Sequence, residues 1–373
     1  LIKGEDEMAI VRLGVVGCGF ISGIHEQAFD RLRGKMEVTG CCDLIPERAK
    51  AMAESVGCSF TCTDYRELFD KVDAVLLAVP HEEHYPMGSD FIRHGIHVMM
   101  EKPMAVSEQE CLDLIHLARQ YHVKFMVAYI MRYHPMCMKL KEIIESGQYG
   151  ELFQMSIWTE QYTKAEDYDY SARALGGGQF FSHGCHYVDL LLWYLGEPVQ
   201  GAHMGTRLCT PWIEWEGTSN AVFEFEGGKL AYHFGTWGTV GTRHSYAIHA
   251  FFEKGMVECC LNEGKMYLHK TKNLSSYFEK SDMEELIFTC EPTGHLPWYE
   301  LNHFADCVLN DTEPLTSGET SLQGLRVIWR MYAAEASHQV ADLRGLSLNG
   351  KWDYIDGPGE AWSVPLLKSM RKK

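Results

Sequence analysis

Residues 10–22 constrain this chain more than any other stretch. Ile10 to Val16 is an apolar run, Gly17-Cys18-Gly19 follows as a tight turn, and a helical pattern begins near Ile21. The run reads as a buried parallel strand. Gly17 permits a backbone turn that a Cβ would obstruct, and Gly19 lets a pyrophosphate approach the main chain. The helix start offers N–H groups and partial positive charge to phosphates. Ser22 occupies the third glycine position of G-x-G-x-x-G and is small enough for close helix–strand packing.

The next apolar segment, Met36 to Cys42, ends in Asp43. An acid at the tip of a second strand accepts both adenosine ribose hydroxyls, whereas a 2′-phosphate there meets like charge. Asp43 therefore favours NAD over NADP. It also suits the role of cap for a helix starting at Pro46, and the two roles are compatible.

From residue 8 to about 130, strand and helix alternate. Helix is expected over Pro46–Val56, ended by Gly57, and Asp64 caps a short helix through Phe69. Strands are expected over Asp73–Val79, Ile96–Met100 and Phe125–Ala128, and Ser107-Glu108-Gln109-Glu110 is a capping box opening a helix to about His122. This alternation predicts a doubly wound parallel sheet, with ligands beyond the carboxyl ends of its strands. Those ends carry Gly17, Asp43, Val79-Pro80-His81 and Glu101-Lys102-Pro103.

The second half reads differently. A helix over Pro135–Ser146 is closed by Gly147, and Phe153 to Gln161 is a strand. A tyrosine-rich loop, 162–175, leads to Gly176-Gly177-Gly178 and to Ser182-His183-Gly184-Cys185-His186-Tyr187-Val188-Asp189, which opens the helix 190–195. Residues 201–289 are strand-rich, with the clearest hairpin at 221–225 and 230–237, and helices follow at 298–309 and 319–338. The expected fold is α/β: a Rossmann doubly wound parallel sheet over 8–130, then an α/β domain over 131–373 with a large, mostly antiparallel open sheet. Helices cover one face of that sheet, and a second copy of the chain is the economical cover for the other.

Composition limits the partners. The chain has 373 residues and a net charge of −17, which argues against nucleic acid or an anionic membrane as partner. It has no apolar run of membrane-spanning length and no signal peptide pattern. Met8 is read as the native start, with residues 1–7 vector-derived. The thirteen cysteines lack a C-x-x-C pair and lie mostly in apolar runs, so reduced thiols in a cytoplasmic protein are expected.

Two stretches carry chemistry. Lys102, at a strand end, is placed to stabilise a developing alkoxide or, if desolvated, to act as a base; a surface Glu–Lys neighbour pair is the plain alternative. His183, His186 and Asp189 are spaced by three, so on a helix they share a face, and a histidine there takes a hydroxyl proton as hydride leaves carbon. The plain alternative for each is a core histidine. The three glycines permit close backbone approach to a ligand. His81 with His84, or His183 with His186, lacks a third metal ligand at a recognisable spacing, so no metal is expected. Trp158, Trp212, Trp215 and Trp237, with His295-Leu296-Pro297-Trp298, are candidates to line a sugar-binding surface, and Trp193 and Trp329 are expected in the core.

The set Gly17-Cys18-Gly19-Phe20-Ile21-Ser22, Asp43, Ala78-Val79-Pro80, Glu101-Lys102-Pro103, Arg132-Tyr133-His134-Pro135 and Gly176-Gly177-Gly178…Gly184-Cys185-His186-Tyr187-Val188-Asp189 resembles the Gfo/Idh/MocA oxidoreductases. The resemblance implies a Rossmann domain, a C-terminal α/β domain with an open sheet, homo-oligomers built through that sheet, and reversible oxidation of a sugar or cyclitol hydroxyl. It identifies Lys102 and His186 as the catalytic pair. Candidate NAD contacts are Gly17, Cys18, Gly19, Phe20, Ile21, Asp43, Val79, Pro80, His84, Glu101 and Lys102. Candidate substrate contacts are Tyr162, Arg173, His183 and Asp189. Ser182 stands where the family often has aspartate, so proton transfer rests on His186 with Lys102, or recruits His183. That variant suits glycoside 3-dehydrogenases over inositol dehydrogenases. The expected function is NAD-dependent oxidation of a sugar or glycoside secondary alcohol, with C3 of a glucoside leading. A glycosidase or lyase retaining NAD through a transient oxidation, a cyclitol dehydrogenase and a non-enzymatic sugar sensor are the alternatives.

Overall fold

The computed structural model describes residues 10–166, 169–272, 282–293 and 295–346. Met8, residues 167–168 of the tyrosine-rich loop and the stretch 347–373 lie outside the described residues. The chain divides into two compact units: residues 1–105, 110–130 and 296–320 form one, and residues 106–109, 131–295 and 321–373 the other.

The first unit holds β1 (Val11–Val16), α1 (Phe20–Phe29), β2 (Met36–Cys42), α2 (Pro46–Val56), β3 (Thr61–Cys62), β4 (Ala74–Leu77), α3 (His81–Arg93), β5 (His97–Met100), α4 (Glu108–Tyr121) and β6 (Phe125–Val127). The first two residues of α4 count with the second unit. The six strands are parallel, in the order β3-β2-β1-β4-β5-β6. The order reverses between β1 and β4, which is where such sheets open a crevice for ligands. Continuous apolar runs make the strands buried on both faces: β4 is wholly buried, and β1 exposes only Arg12, which pairs with Asp73. Pro46 starts α2 and left-handed Gly57 ends it, as the sequence pattern implies. Asp64 caps a single 3-10 turn, Tyr65–Leu68, by accepting the Arg66 N–H. Helix α3 escaped the sequence reading. It contains Pro86, which removes one helical hydrogen bond.

The second unit holds α5 (Pro135–Ser146), β7 (Leu152–Glu160), α6 (Ala172–Leu175), α7 (Gln179–Ser182), α8 (Cys185–Leu195), β8 (Pro198–Thr206), β9 (Thr218–Phe225), β10 (Lys229–Thr236), β11 (Tyr246–Phe252), β12 (Gly255–Cys260), β13 (Lys265–Lys270) and β14 (Met283–Thr289). The chain then forms α9 (Pro297–Asn310), α10 (Gly318–Ala336) and β15 (Ala341–Asp342). Nine strands make one sheet, in the order β14-β13-β12-β11-β7-β10-β9-β8-β15. It is antiparallel except for the β7–β10 pair. Helices α7 and α8 pack on one face, against β9 and β10. The alternate residues, including Trp158, Val222, Leu230, Tyr232 and His249, point to the opposite face, where Val222 and Leu230 are half exposed.

Helix α9 belongs to the first unit. It packs on α1, and Lys35 binds Asn302 at 2.6 Å and Asp306 at 2.6 Å. Thr316 then joins edge strand β6: its carbonyl accepts the Val127 N–H at 2.9 Å, and its hydroxyl donates to the Val127 carbonyl at 2.7 Å. The expected second domain, 131–373, therefore loses 296–320 to the first unit. A division read along the sequence cannot see that return.

Candidate functional site

The end of β1 sets the geometry of the first unit. Gly17 has φ +85°, and a Cβ there would lie 2.3 Å from the Ala78 carbonyl oxygen. Gly19 precedes α1 and faces open space, and no side chain caps the helix. Ser22 is fully buried, and its hydroxyl donates to the Gly19 carbonyl at 2.9 Å. Asp43 Oδ2 accepts the Cys18 N–H at 2.8 Å, and Oδ1 accepts the Ile45 N–H at 2.8 Å. That brings the 17–20 turn beside the 43–45 turn. Phe20 and Leu44, on these turns, are 78% and 84% exposed, and Ile21 is half-buried. Uncapped helix amides, a carboxylate with lone pairs to spare and exposed apolar side chains together fit the pyrophosphate, ribose and adenine of NAD.

The other strand ends hold a buried ionic cluster. Glu101 Oε1 pairs with His25 Nε2 at 2.7 Å, and Oε2 accepts the Lys102 N–H at 3.2 Å. His25 Nδ1 lies 3.8 Å from Glu300 of α9. Burial acts to raise the Glu101 pKa, but His25 and Lys102 overcome it and hold the carboxyl down at about 2. Burial, with the charge of Glu101, pushes Glu300 well above the carboxylate range. Glu101 is thus committed to His25 and to the backbone of Lys102. His25 and Glu300 escaped the sequence reading because nothing local marks either as a neighbour of Glu101.

His84, a candidate NAD contact, is fully buried instead. Its ring lies between two backbone carbonyls, Pro103 at 2.8 Å from Nδ1 and Val79 at 3.1 Å from Nε2. Burial lowers its pKa, and the neutral imidazole has one N–H, so it donates to one of the two carbonyls and packs its other nitrogen beside the second. Pro80 starts α3, and the Val79 side chain bounds the space beside Gly17.

In the second unit, His183 sits between α7 and α8, and His186 lies in the first turn of α8. Both are buried. A chain of polar groups orients His183. Ser219 donates to Gln179 Oε1 at 2.8 Å, Gln179 Nε2 is 3.2 Å from His183 Nδ1, and the Tyr246 hydroxyl is 3.5 Å from Nε2. Gln161 bonds that hydroxyl and accepts from Trp237 Nε1 at 3.1 Å. Burial raises Tyr246, so its phenol stays neutral. Gln161, Gln179 and Tyr246 are parts of the site that the sequence motifs did not announce.

Asp189, read as a substrate contact, is buried, and both its oxygens are gripped by Arg132 at 2.6 and 2.7 Å. This bidentate pair anchors α8, whose residues are all buried except Trp193. Packing alone already requires the three glycines. A Cβ at Gly176, Gly177 or Gly178 would strike Val106 at 2.7 Å, Phe181 at 2.6 Å or the Glu216 carboxylate at 2.2 Å. Tyr162 and Arg173 are exposed. Of the expected aromatic lining, Trp237 packs with Tyr170 and lies near His183, while Trp212 leans on that cluster and His295 faces Tyr246. Trp215 is buried against Tyr332, and Trp158 points to the opposite face of the sheet, beside Tyr232 and His249. Trp329 is in the core, whereas Trp193 is half-buried beneath the Arg132 guanidinium.

Residues 11–129 match the family model described as an oxidoreductase family with an NAD-binding Rossmann fold, and residues 137–258 match the GFO/IDH/MocA C-terminal domain. An inositol 2-dehydrogenase/D-chiro-inositol 3-dehydrogenase of Lactiplantibacillus plantarum is 25% identical over 51% of this chain and 54% of its own length. The chain thus spans about half the length of that relative. A D-glucoside 3-dehydrogenase of Escherichia coli is 24% identical over 60% of this chain and 68% of its own. The WlbA dehydrogenase of Bordetella pertussis, crystallised with NADH and UDP-GlcNAcA, shares the fold with a TM-score of 0.74, at 24% identity over 90% of this chain and 99% of its own.

Proposed function

Because this chain belongs to the Gfo/Idh/MocA family of NAD-binding oxidoreductases, we propose that it oxidises a secondary hydroxyl of a sugar or glycoside, with C3 of a glucoside as the leading position. The observation that carries this reading is that the Gly17–Asp43 turn system and Lys102, whose backbone N–H binds Glu101, both lie at carboxyl ends of strands of the one parallel sheet. Bound NAD supplies the hydride acceptor. His186 takes the hydroxyl proton as hydride leaves the carbinol carbon. The Lys102 ammonium stabilises the oxygen as negative charge develops on it. Tyr162 and Arg173, both exposed, and His183 are the candidate substrate contacts. The kinship with a D-glucoside 3-dehydrogenase supports the choice of C3.

The test is absorbance at the reduced-nicotinamide band, with NAD and a panel of free sugars, cyclitols and glucosides, followed by mass analysis. A rise with one glycoside and a product two hydrogens lighter is expected, and Lys102→Ala and His186→Ala should each abolish most of it. Near-normal turnover in both variants refutes the assigned roles. Aglycone release without net NADH formation would favour a cycle in which NAD stays bound.

The same reading includes a homo-oligomer in the reducing cytoplasm. The half-exposed Val222 and Leu230 and the 71% exposed Met204 lie on the face of the nine-stranded sheet opposite α7 and α8, and none of the thirteen cysteines is in a disulfide among the described residues. No helix of the described residues is long and apolar enough to cross a membrane. Leu230→Glu should lower the sedimentation coefficient towards that of a single chain if this face joins two copies.

A further inference from the structure

We propose that His244, His249 and Glu258 form a divalent transition-metal site on the sheet of the second unit, best matched to Zn2+. Strand pairing builds it. His249 of β11 stands directly opposite Glu258 of β12, and His244 lies in the loop that leads into β11. One ligand atom from each lies within 4.8 Å of the others. His249 Nε2 is 3.5 Å from Glu258 Oε1, and that buried ring nitrogen has no hydrogen-bond partner. Tetrahedral Zn2+, with bonds of about 2.0–2.2 Å, holds its ligand atoms about 3.4 Å apart. The His249–Glu258 pair already has that spacing. Only His244, on its loop, must close in.

The surroundings suit a metal as well. His269 Nε2 lies 2.8 Å from the other Glu258 oxygen, and its Nδ1 is 3.8 Å from Glu284. That chain of partners fixes the carboxylate with Oε1 towards His249, the arrangement by which outer groups orient a metal ligand. Trp158 packs 4.6 Å from the His249 ring and 6.1 Å from His244. Two nitrogens and one oxygen make a borderline donor set, suited to Zn2+ over Mg2+ or Ca2+. The sequence expectation of no metal considered only histidines close together in the chain. The Glu258 ligand comes from the neighbouring strand.

The inference is independent of the dehydrogenase reading. Chelator-stripped protein is titrated with Zn2+ by calorimetry, then with Co2+ by visible spectroscopy. One ion per chain is expected, with weakening by tenfold or more in His249→Gln, Glu258→Gln and the loop variant His244→Gln. Unchanged binding in Cys209→Ser excludes capture by the exposed thiol. No stoichiometric Zn2+ binding, equal affinity in the three ligand variants, or a Co2+ spectrum dominated by thiolate charge transfer would each overturn the site. His244→Gln alters only a half-buried loop side chain, so it keeps the test decisive if a strand variant misfolds.

Discussion

Asp43 already accepts two backbone N–H groups, so its side chain both shapes the 17–20 turn and presents lone pairs outward. Asp43→Asn should weaken NAD binding by about 10–100-fold, the cost of losing a charged acceptor for ribose hydroxyls, and should narrow the preference over NADP. Fluorescence titration with both dinucleotides reads this directly. The Glu101–His25–Glu300 cluster makes a sharper prediction, because its two carboxyls carry opposite linkages. Folding lowers Glu101 from 4.5 to about 2, which is worth about 3 kcal/mol. That contribution is complete above pH 4.5 and is lost as pH falls towards 2. Folding raises Glu300 above 4.5. Its contribution is complete below that value and is lost as pH rises. Urea unfolding across this range should show the stability difference between wild type and Glu101→Gln shrinking at low pH. The difference between wild type and Glu300→Gln should move against wild type as pH increases. Parallel curves for the two variants would refute the assigned charge states.

At the scale of elements, α8 is the test case. An almost wholly buried helix carries one carboxylate, Asp189, and neutralises it with Arg132. Arg132→Met leaves that charge unpaired in the core and should cost about 3–5 kcal/mol. Arg132→Met with Asp189→Leu should recover much of the loss, because two apolar groups replace two charges. Thermal unfolding of the single and double variants measures both. Elements defined by local chemistry were readable in advance. The apolar run of β1, the Pro46 start and Gly57 end of α2, and the Gly147 stop of α5 all emerge within a residue or two of expectation. Helix α3 was not readable, since Pro86 and a polar His-Glu-Glu-His start mask its period. Trp158, expected in the lining, faces the other side of the sheet because a strand's alternation decides the face, and one position reverses it.

For the molecule as a whole, the parallel sheet and the open antiparallel sheet were both legible, since continuous and alternating apolar patterns distinguish them. Motifs name residue types for the candidate site, as at Gly17, Asp43, Lys102 and His186, but not the partners that folding gives them. Those partners come from distant segments. Glu300 reaches His25, Arg132 reaches Asp189, and Gln161 reaches Tyr246 only after folding. The return of residues 296–320 to the first unit has a further consequence, in the order of synthesis. Thr316 reaches β6 from 189 residues downstream, about 10–40 s of translation at ordinary elongation rates. Until then the nascent first unit has its nucleotide-facing strands but an unfinished edge and no α9 against α1. It completes only after nearly all of the sheet of the other unit has left the ribosome. A pause or truncation before residue 296 should therefore strand the amino-terminal half as a chaperone client rather than release it as an independently folded domain.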